Sequence, residues 1–167
     1  DTTVKLENNT EFTSTIDIQD KTITLDLNGK TATFNGGAST YAIALGKDAH
    51  LTIDDSQTGG TLVSENSRVI KVGDGSISTS ASGPASLTLN GGTVSSEYSS
   101  YSDSSKETDH GAIAVYANSS ATHGEDDAVA CTVTVNSATV NGGIYVFGQG
   151  AELTVNEGAN ITSQRYA

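Results

Sequence analysis

The 167-residue sequence is poor in residue types that commonly define a fold or a site. It has one cysteine, Cys131, one proline, and neither methionine nor tryptophan. A single cysteine cannot form a disulfide within the chain. No stretch approaches the ~18 consecutive apolar residues of a membrane-spanning helix. Without an initiator methionine, we expect a fragment of a larger protein, with residues 1–167 forming one domain.

Basic residues are also scarce. Eight lysines and arginines stand against twenty acidic residues, which gives a formal net charge of −12. A surface of that sign repels the phosphate backbone of nucleic acids and the head groups of anionic lipids. We therefore expect no nucleic-acid partner and no membrane insertion.

The abundant residues suit short strands joined by tight turns. The chain has 23 threonines and 21 serines, and a short alternating pattern recurs six times. The copies are Val4-Lys5-Leu6, Leu25-Asp26-Leu27-Asn28, Leu51-Thr52-Ile53-Asp54, Leu87-Thr88-Leu89-Asn90, Val133-Thr134-Val135-Asn136 and Leu153-Thr154-Val155-Asn156. Their first residues are 21, 26, 36, 46 and 20 positions apart, which indicates a unit that closes in roughly 20 residues and accepts insertions.

Two further apolar segments follow each of the first five copies, and the first of them also follows the sixth copy. The first is a single apolar residue in a threonine-rich context, and the second is an alternating pair such as Ile43 with Leu45. The single residues are Phe12, Phe34, Leu62, Val94, Val140 and Ile161. Alternation at i and i+2 is the period of a strand, not of a helix. Three short strands per unit without helical crossovers predict an all-β solenoid, a parallel β-helix of about six coils.

The polar residue that ends each copy predicts a ladder of side chains along one corner of the rod. Its members would be Asn28, Asp54, Asn90, Asn136 and Asn156, exchanging hydrogen bonds between coils. Two positions earlier, Thr52, Thr88, Thr134 and Thr154 would face solvent in a row that Asp26 interrupts. An interrupted single row disfavours an ice-binding face. Cys131 alternates in phase with Val133 and is expected to be a core thiol.

With this ladder, the chain resembles the right-handed parallel β-helix of the pectate-lyase-like superfamily. The segment Thr22–Thr31 also resembles modules of large surface proteins from gut-dwelling Gram-positive bacteria. The resemblance covers most of residues 4–162 and implies an extracellular location, either on the bacterial surface or secreted. It implies little about activity, because this solenoid carries lyases, hydrolases, adhesins and inert stalks.

Two long insertions, residues 95–111 and 118–130, flank the strand expected at residues 112–116. They contain acidic residues together with His110 and His123, but the spacing fits neither a calcium loop nor a zinc site. We therefore predict no metal and no other cofactor.

Catalytic residues are equally hard to place. A lyase that resembled the pectate enzymes would need an arginine base near clustered aspartates, and the chain has only Arg68 and Arg165. A hydrolase needs two or three carboxylates at a defined separation on one face, and Asp54 already belongs to the ladder. We expect no catalytic residues and no enzyme activity, and we keep a polysaccharide lyase or hydrolase as the second alternative.

Aromatic residues are few, which makes their placement informative. If Ile113 and Val115 point inward, Tyr116 points outward, and the same alternation turns Tyr145 and Phe147 to solvent on the next coil. A one-residue change of register would bury those two rings instead. With two tyrosines of the first insertion, the candidate ligand-binding residues are Tyr98, Tyr101, Tyr116, Tyr145 and Phe147.

An exposed aromatic patch with a polar rim is a common way to hold sugar rings or the side chains of a partner. The sequence therefore favours a monomeric, non-catalytic adhesion module that recognises a glycan or a host glycoprotein such as mucin or an immunoglobulin. A structural stalk is the first alternative. The two long insertions argue against a stalk, because a spacer does not need them.

Overall fold

The computed structural model describes residues 1–37, 40–73, 83–96, 111–117 and 129–163. These ranges form short strands, and no helix in them is long and apolar enough to cross a membrane. In chain order the strands are β1 (Thr2–Lys5), β2 (Thr10–Phe12), β3 (Ile16–Ile18), β4 (Thr22–Asp26), β5 (Thr31–Phe34), β6 (Tyr41–Leu45), β7 (Ala49–Asp54), β8 (Thr61–Ser64), β9 (Arg68–Val72), β10 (Ala85–Leu89), β11 (Thr93–Ser96), β12 (Ile113–Tyr116), β13 (Cys131–Val135), β14 (Thr139–Asn141), β15 (Ile144–Phe147), β16 (Ala151–Val155) and β17 (Asn160–Thr162).

The strands build three all-parallel sheets. Sheet A has the order β1-β4-β7-β10-β13-β16, sheet B has β2-β5-β8-β11-β14-β17, and sheet C has β3-β6-β9-β12-β15. The chain visits A, B and C in turn and then rises by one strand spacing, ~4.8 Å. The predicted right-handed parallel β-helix is thereby confirmed. Five coils have three strands, and the sixth has two within the described residues.

The interior of the rod is filled by stacked apolar side chains. In sheet C, for example, Ile43, Ile70 and Ile113 pair in register and are almost completely buried. Cys131 has 1% of its surface exposed and belongs to the same core, as its alternation predicted. Because every inward row repeats from coil to coil, each apolar side chain packs on its counterparts above and below.

The register between the second and third coils differs from the expected one. Leu25 pairs with Ile53, not with Leu51, so the two sequence copies are offset by two residues. The same offset occurs in sheet B, where Phe34 lies opposite Ser64 and Leu62 lies opposite Ala32. A two-residue shift leaves the same side chains facing inward, so the hydrophobic pattern alone cannot detect it.

This offset removes one member from the predicted ladder. The side-chain nitrogen of Asn90 donates to Asp54 (2.8 Å), that of Asn136 to Asn90 (2.7 Å) and that of Asn156 to Asn136 (2.7 Å). The prediction is right for these four residues and wrong for Asn28, whose side-chain nitrogen donates to the backbone oxygen of Leu6 (2.8 Å).

The offset also completes the outer row of threonines. Thr24 pairs with Thr52, so the expected interruption by Asp26 is wrong. The row runs through Thr3, Thr24, Thr52, Thr88, Thr134 and Thr154. The neighbouring outward row is mixed, since it contains His50 and Glu152. Within the described strands, sheet A therefore lacks the second regular row that an ice-binding face would need.

Candidate functional site

Three of the predicted ligand-binding residues lie on the outer face of sheet C. Ile144 pairs with Ile113 and Val146 with Val115, so Tyr145 and Phe147 point outward from β15. Tyr116 points outward from β12 by the same alternation and pairs with Phe147. Phe147 has 45% of its surface exposed, and the two tyrosines are half-buried. The alternative register, which would bury Tyr145 and Phe147, does not occur.

The three rings touch one another. The centroids of Tyr116 and Tyr145 are 5.9 Å apart with their planes tilted by 56°, and those of Tyr145 and Phe147 are 6.2 Å apart with their planes at 11°. Both separations fall within the range of favourable aromatic pairs. The rings therefore support one another as a continuous surface.

Two residues that the sequence did not assign to this patch extend it toward the first coil. The hydroxyl oxygens of Tyr116 and Tyr41 lie 3.4 Å apart and share a hydrogen bond. The guanidinium of Arg68 stacks over the ring of Tyr41, 4.9 Å from its centroid, and its Nη1 donates to the Tyr41 hydroxyl. We call the five residues Tyr41, Arg68, Tyr116, Tyr145 and Phe147 the aromatic strip.

A break in the strand alternation explains why Tyr41 was missed. Counting back from Ile43, strict alternation would turn Tyr41 inward. Instead, Ala42 and Ile43 are consecutive core residues, as are Val69 and Ile70 on the next coil. The backbone nitrogens of Val69 and Ile70 both donate to the oxygen of Ala112, which is the hydrogen-bond pattern of a local bulge. The residue before each such pair, Tyr41 or Arg68, is thereby turned outward.

Small side chains lie between the large ones on this face. Ala114 alternates with inward residues and therefore points outward, yet it has no exposed surface. It pairs with Tyr145 and precedes Tyr116 by two positions on the same face. Rings can approach the sheet closely above an alanine, and we infer that the Tyr116–Tyr145 contact spans this position.

The charge of the face differs from that of the chain. Lys71 points outward from β9 between Ala44 and Ala114. It is the next outward side chain of this strand after Arg68. Among the strand residues β6, β9, β12 and β15, these two cations are accompanied by no carboxylate. Asp17 of β3 lies in the same outward row as Lys71, two coils below it, so the outer face of sheet C carries both signs of charge and is purely positive only from β6 to β15.

Other predicted features fall outside this face. Tyr98 and Tyr101 lie outside the described residues, as do His110 and His123. In the part of the chain that the structure describes, no group of three or more His, Cys, Asp or Glu side chains is arranged to hold a metal ion. Asp54 accepts the Asn90 amide in the ladder, and Arg68 is held against Tyr41.

Comparison of the chain with protein-family models, with curated proteins and with solved structures finds no match. The fold is therefore established by the sheet topology alone. These comparisons do not test the resemblance to the pectate-lyase-like superfamily or the origin in gut bacteria, and both stay predictions from the sequence.

Proposed function

We propose that this chain is a non-catalytic binding module whose aromatic strip holds a neutral glycan, either free or carried by a host glycoprotein. The observation that carries the proposal is the unbroken set of contacts from Arg68 through Tyr41, Tyr116 and Tyr145 to Phe147. Such a surface combines apolar ring faces with hydroxyl and guanidinium groups.

The orientation of the strip favours an elongated ligand. Its residues lie on four successive coils, from β6 to β15, so it rises by three coil steps or ~14 Å along the rod axis. It also crosses sheet C, from the start of β6 and β9 to the end of β12 and β15. An oligosaccharide chain lying diagonally across this face would meet several rings in turn. A single monosaccharide would cover only one of them.

Apolar burial can supply the affinity. Each ring covered by a ligand contributes about 1–2 kcal/mol to the binding free energy, at the usual transfer free energy per unit of buried apolar area. Three rings then supply about 3–6 kcal/mol, which corresponds to dissociation constants from several millimolar down to tens of micromolar. The rings are already in contact, so little ordering is needed on binding.

Charge selects among glycans. The net charge of −12 disfavours sulfated and sialylated chains at long range. Arg68 already donates to Tyr41, so we assign it a positioning role for the ring and not the capture of an anion. Neutral sugars are the expected class.

The cellular setting is part of the same proposal. The resemblance to surface modules of gut-dwelling Gram-positive bacteria supports a position outside the cell, on the bacterial surface or secreted. A glycan-binding rod there would act as an adhesin. The alternative, a stalk, needs no aromatic surface on the face of sheet C.

A glycan array followed by calorimetric titration of the best neutral oligosaccharide tests the proposal. The informative variants are Tyr145→Ala and Tyr116→Ala, and the matched controls are Tyr145→Phe, which keeps the ring, and Thr134→Ala on the outer face of sheet A. We expect each alanine variant to weaken binding about 5- to 30-fold. Tyr145→Phe and Thr134→Ala should change it less than threefold.

Two outcomes would contradict the proposal. One is the absence of binding to any glycan on the array, which would favour the stalk. The other is binding that survives Tyr116→Ala combined with Tyr145→Ala, which would place the ligand elsewhere. Preferential binding of sulfated or uronic-acid chains would overturn the assignment to neutral sugars.

A further inference from the structure

Four Asn-Gly pairs occur in the chain, and each contains the two groups that react in spontaneous deamidation. The pairs are Asn28-Gly29, Asn35-Gly36, Asn90-Gly91 and Asn141-Gly142. In this reaction the backbone nitrogen of the glycine attacks the side-chain Cγ of the asparagine. Glycine favours the attack because it has no side chain to hinder the approach and leaves the backbone free to turn. The fold decides which pair reacts, since the asparagine amide must be able to turn and the glycine nitrogen must be unbonded.

The first pair is held by hydrogen bonds at both reacting groups. The backbone nitrogen of Gly29 donates to the carboxylate of Asp55 (2.7 Å). A bond to an ionised acceptor is among the stronger hydrogen bonds of proteins. The side-chain nitrogen of Asn28 donates to the backbone oxygen of Leu6 (2.8 Å). Both bonds must break before this pair can react.

Two further pairs are held in other ways. The side-chain oxygen of Asn141 accepts the hydroxyl of Thr162 (2.9 Å), and the nitrogen of Gly142 donates to the Thr162 backbone oxygen (2.9 Å). The side-chain amide of Asn90 belongs to the ladder, where it donates to one neighbour (2.8 Å) and accepts from the other (2.7 Å). Neither amide can turn without loss of these bonds.

The remaining pair is held much less firmly. Asn35 is exposed, and its side-chain nitrogen lies 3.4 Å from the carboxylate of Glu11, which is longer than the usual hydrogen-bond range. The backbone nitrogen of Gly36 makes no hydrogen bond to a described residue. Both reacting groups of this pair are therefore free to approach each other.

The core requires glycine at this position. The ring of Phe34 is completely buried, and its edge lies against the backbone of Gly36. A Cβ atom added to Gly36 would overlap that ring. Any other residue there would displace a core side chain, so the packing of the second coil retains a reactive pair at its surface.

We propose that Asn35 is a site of spontaneous deamidation in the folded chain, with water as the one other reactant. The nitrogen of Gly36 forms a bond to Cγ of Asn35, the bond from Cγ to Nδ2 breaks, and ammonia leaves with the proton that the Gly36 nitrogen loses. Water then opens the resulting succinimide at either carbonyl. The products are aspartate and isoaspartate.

The products change the corner between sheets B and C. A carboxylate replaces the amide beside Glu11, so a weak hydrogen bond gives way to a contact between like charges. Isoaspartate also adds a methylene to the backbone of the segment that joins β5 to β6. Tyr41 of the aromatic strip begins β6, so the modified residue lies on the connection that leads to the strip.

Peptide mapping of the folded chain after incubation at mildly alkaline pH tests this inference. Trypsin cleaves after Lys21, Lys30 and Lys47, and it releases residues 22–30 and 31–47 as neighbouring peptides. Asn28 is the one asparagine of the first peptide and Asn35 is the one asparagine of the second. Mass spectrometry measures the conversion of amide to acid in each, and enzymatic methylation detects isoaspartate. The same incubation in urea is the control without the fold.

The rates of the two peptides decide the outcome. We expect Asn35 to lose its amide at least about tenfold faster than Asn28 in the folded chain, because reaction at Asn28 requires local opening of its hydrogen bonds. In urea the two rates should become similar, since both asparagines follow a bulky apolar residue. Asn35→Gln, with a longer side chain that cyclises slowly, should stop the conversion in residues 31–47 and leave that in residues 22–30 unchanged.

Three results would overturn the inference. In the first, Asn28 converts as fast as Asn35 in the folded chain. In the second, Asn35 keeps its amide in the folded chain but loses it in urea, which would show that the fold protects this pair as well. In the third, the conversion in residues 31–47 persists in Asn35→Gln.

Discussion

Asp26 lies opposite Asp54 in the parallel register of sheet A, and the two carboxylates accept hydrogen bonds from different partners. Asp54 accepts the side-chain amide of Asn90. Asp26 accepts the backbone nitrogen of Ser56 (2.9 Å), the hydroxyl of Ser56 (2.7 Å) and the backbone nitrogen of Asn28 (2.9 Å). The two bonds from Ser56 tie the second coil to the third at the two-residue offset. We therefore assign Asp26 the role of fixing the register at which the ladder begins.

The stability conferred by Asp26 should depend on pH. The backbone hydrogen bond from Ser56 is the largest influence that lowers the pKa of Asp26 below its ordinary value of 3.8, and burial opposes it in part. A carboxylate whose pKa is lowered by folding stabilises the fold above the unfolded value, and loses that contribution as the pH falls through the folded value. Asp26→Asn should lower the free energy of unfolding by about 1–3 kcal/mol at neutral pH.

Urea unfolding followed by circular dichroism, from neutral pH to below pH 3.8, measures this effect. The difference between the unmodified chain and Asp26→Asn should shrink as the pH falls through the pKa of folded Asp26. Taking the difference at each pH cancels the titration of groups common to both proteins. A difference that stays constant with pH would show that Asp26 does not act through its charge.

The ladder should stabilise the rod in proportion to the hydrogen bonds that each member makes. Asn90 makes two ladder bonds and Asn156 makes one. At about 0.5–1.5 kcal/mol for each bond, Asn90→Ala should cost roughly twice as much as Asn156→Ala. Chemical unfolding of both variants checks the ratio, and equal costs would argue against pairwise bonds as the source.

The chain should not cleave polysaccharides. We expect no release of reducing or unsaturated ends from polygalacturonate, other uronans or neutral polysaccharides, with or without Ca²⁺. The physical reason is that Arg68, the one arginine among the described residues, is engaged with Tyr41 and has no cluster of aspartates described beside it. Cleavage that is abolished by Arg68→Lys or by replacing Asp126 and Asp127 would overturn the expectation.

The alternation of apolar residues and the repetition of the sequence unit predicted the fold, because both patterns recur in every coil. They also placed Cys131 in the core and turned Tyr145 and Phe147 outward. They did not predict the register between the second and third coils, because a two-residue shift leaves the pattern of inward side chains unchanged. Hydrogen bonds from Ser56 to Asp26 mark that register, and they join residues 30 positions apart.

The sequence did not predict that Tyr41 and Arg68 belong to the aromatic strip, for a different reason. Tyr41 reaches Tyr116 across 75 positions, and its ring turns outward because Ala42 and Ile43 are consecutive core residues, which breaks the alternation of the strand. An extra residue of this kind shifts the alternation of inward and outward side chains by one position. No feature of the sequence marked that shift in β6.

The central claim, that the aromatic strip binds the glycan, is tested most directly by NMR of the aromatic rings. The chain has only six tyrosines and three phenylalanines, so ring resonances labelled with ¹³C are few enough to assign by substitution. On titration with the best neutral oligosaccharide, the rings of Tyr41, Tyr116, Tyr145 and Phe147 should shift. The interior pair Phe12 and Phe34, whose centroids lie 5.2 Å apart, should not shift. Saturable binding that leaves the four strip rings unchanged would contradict the account.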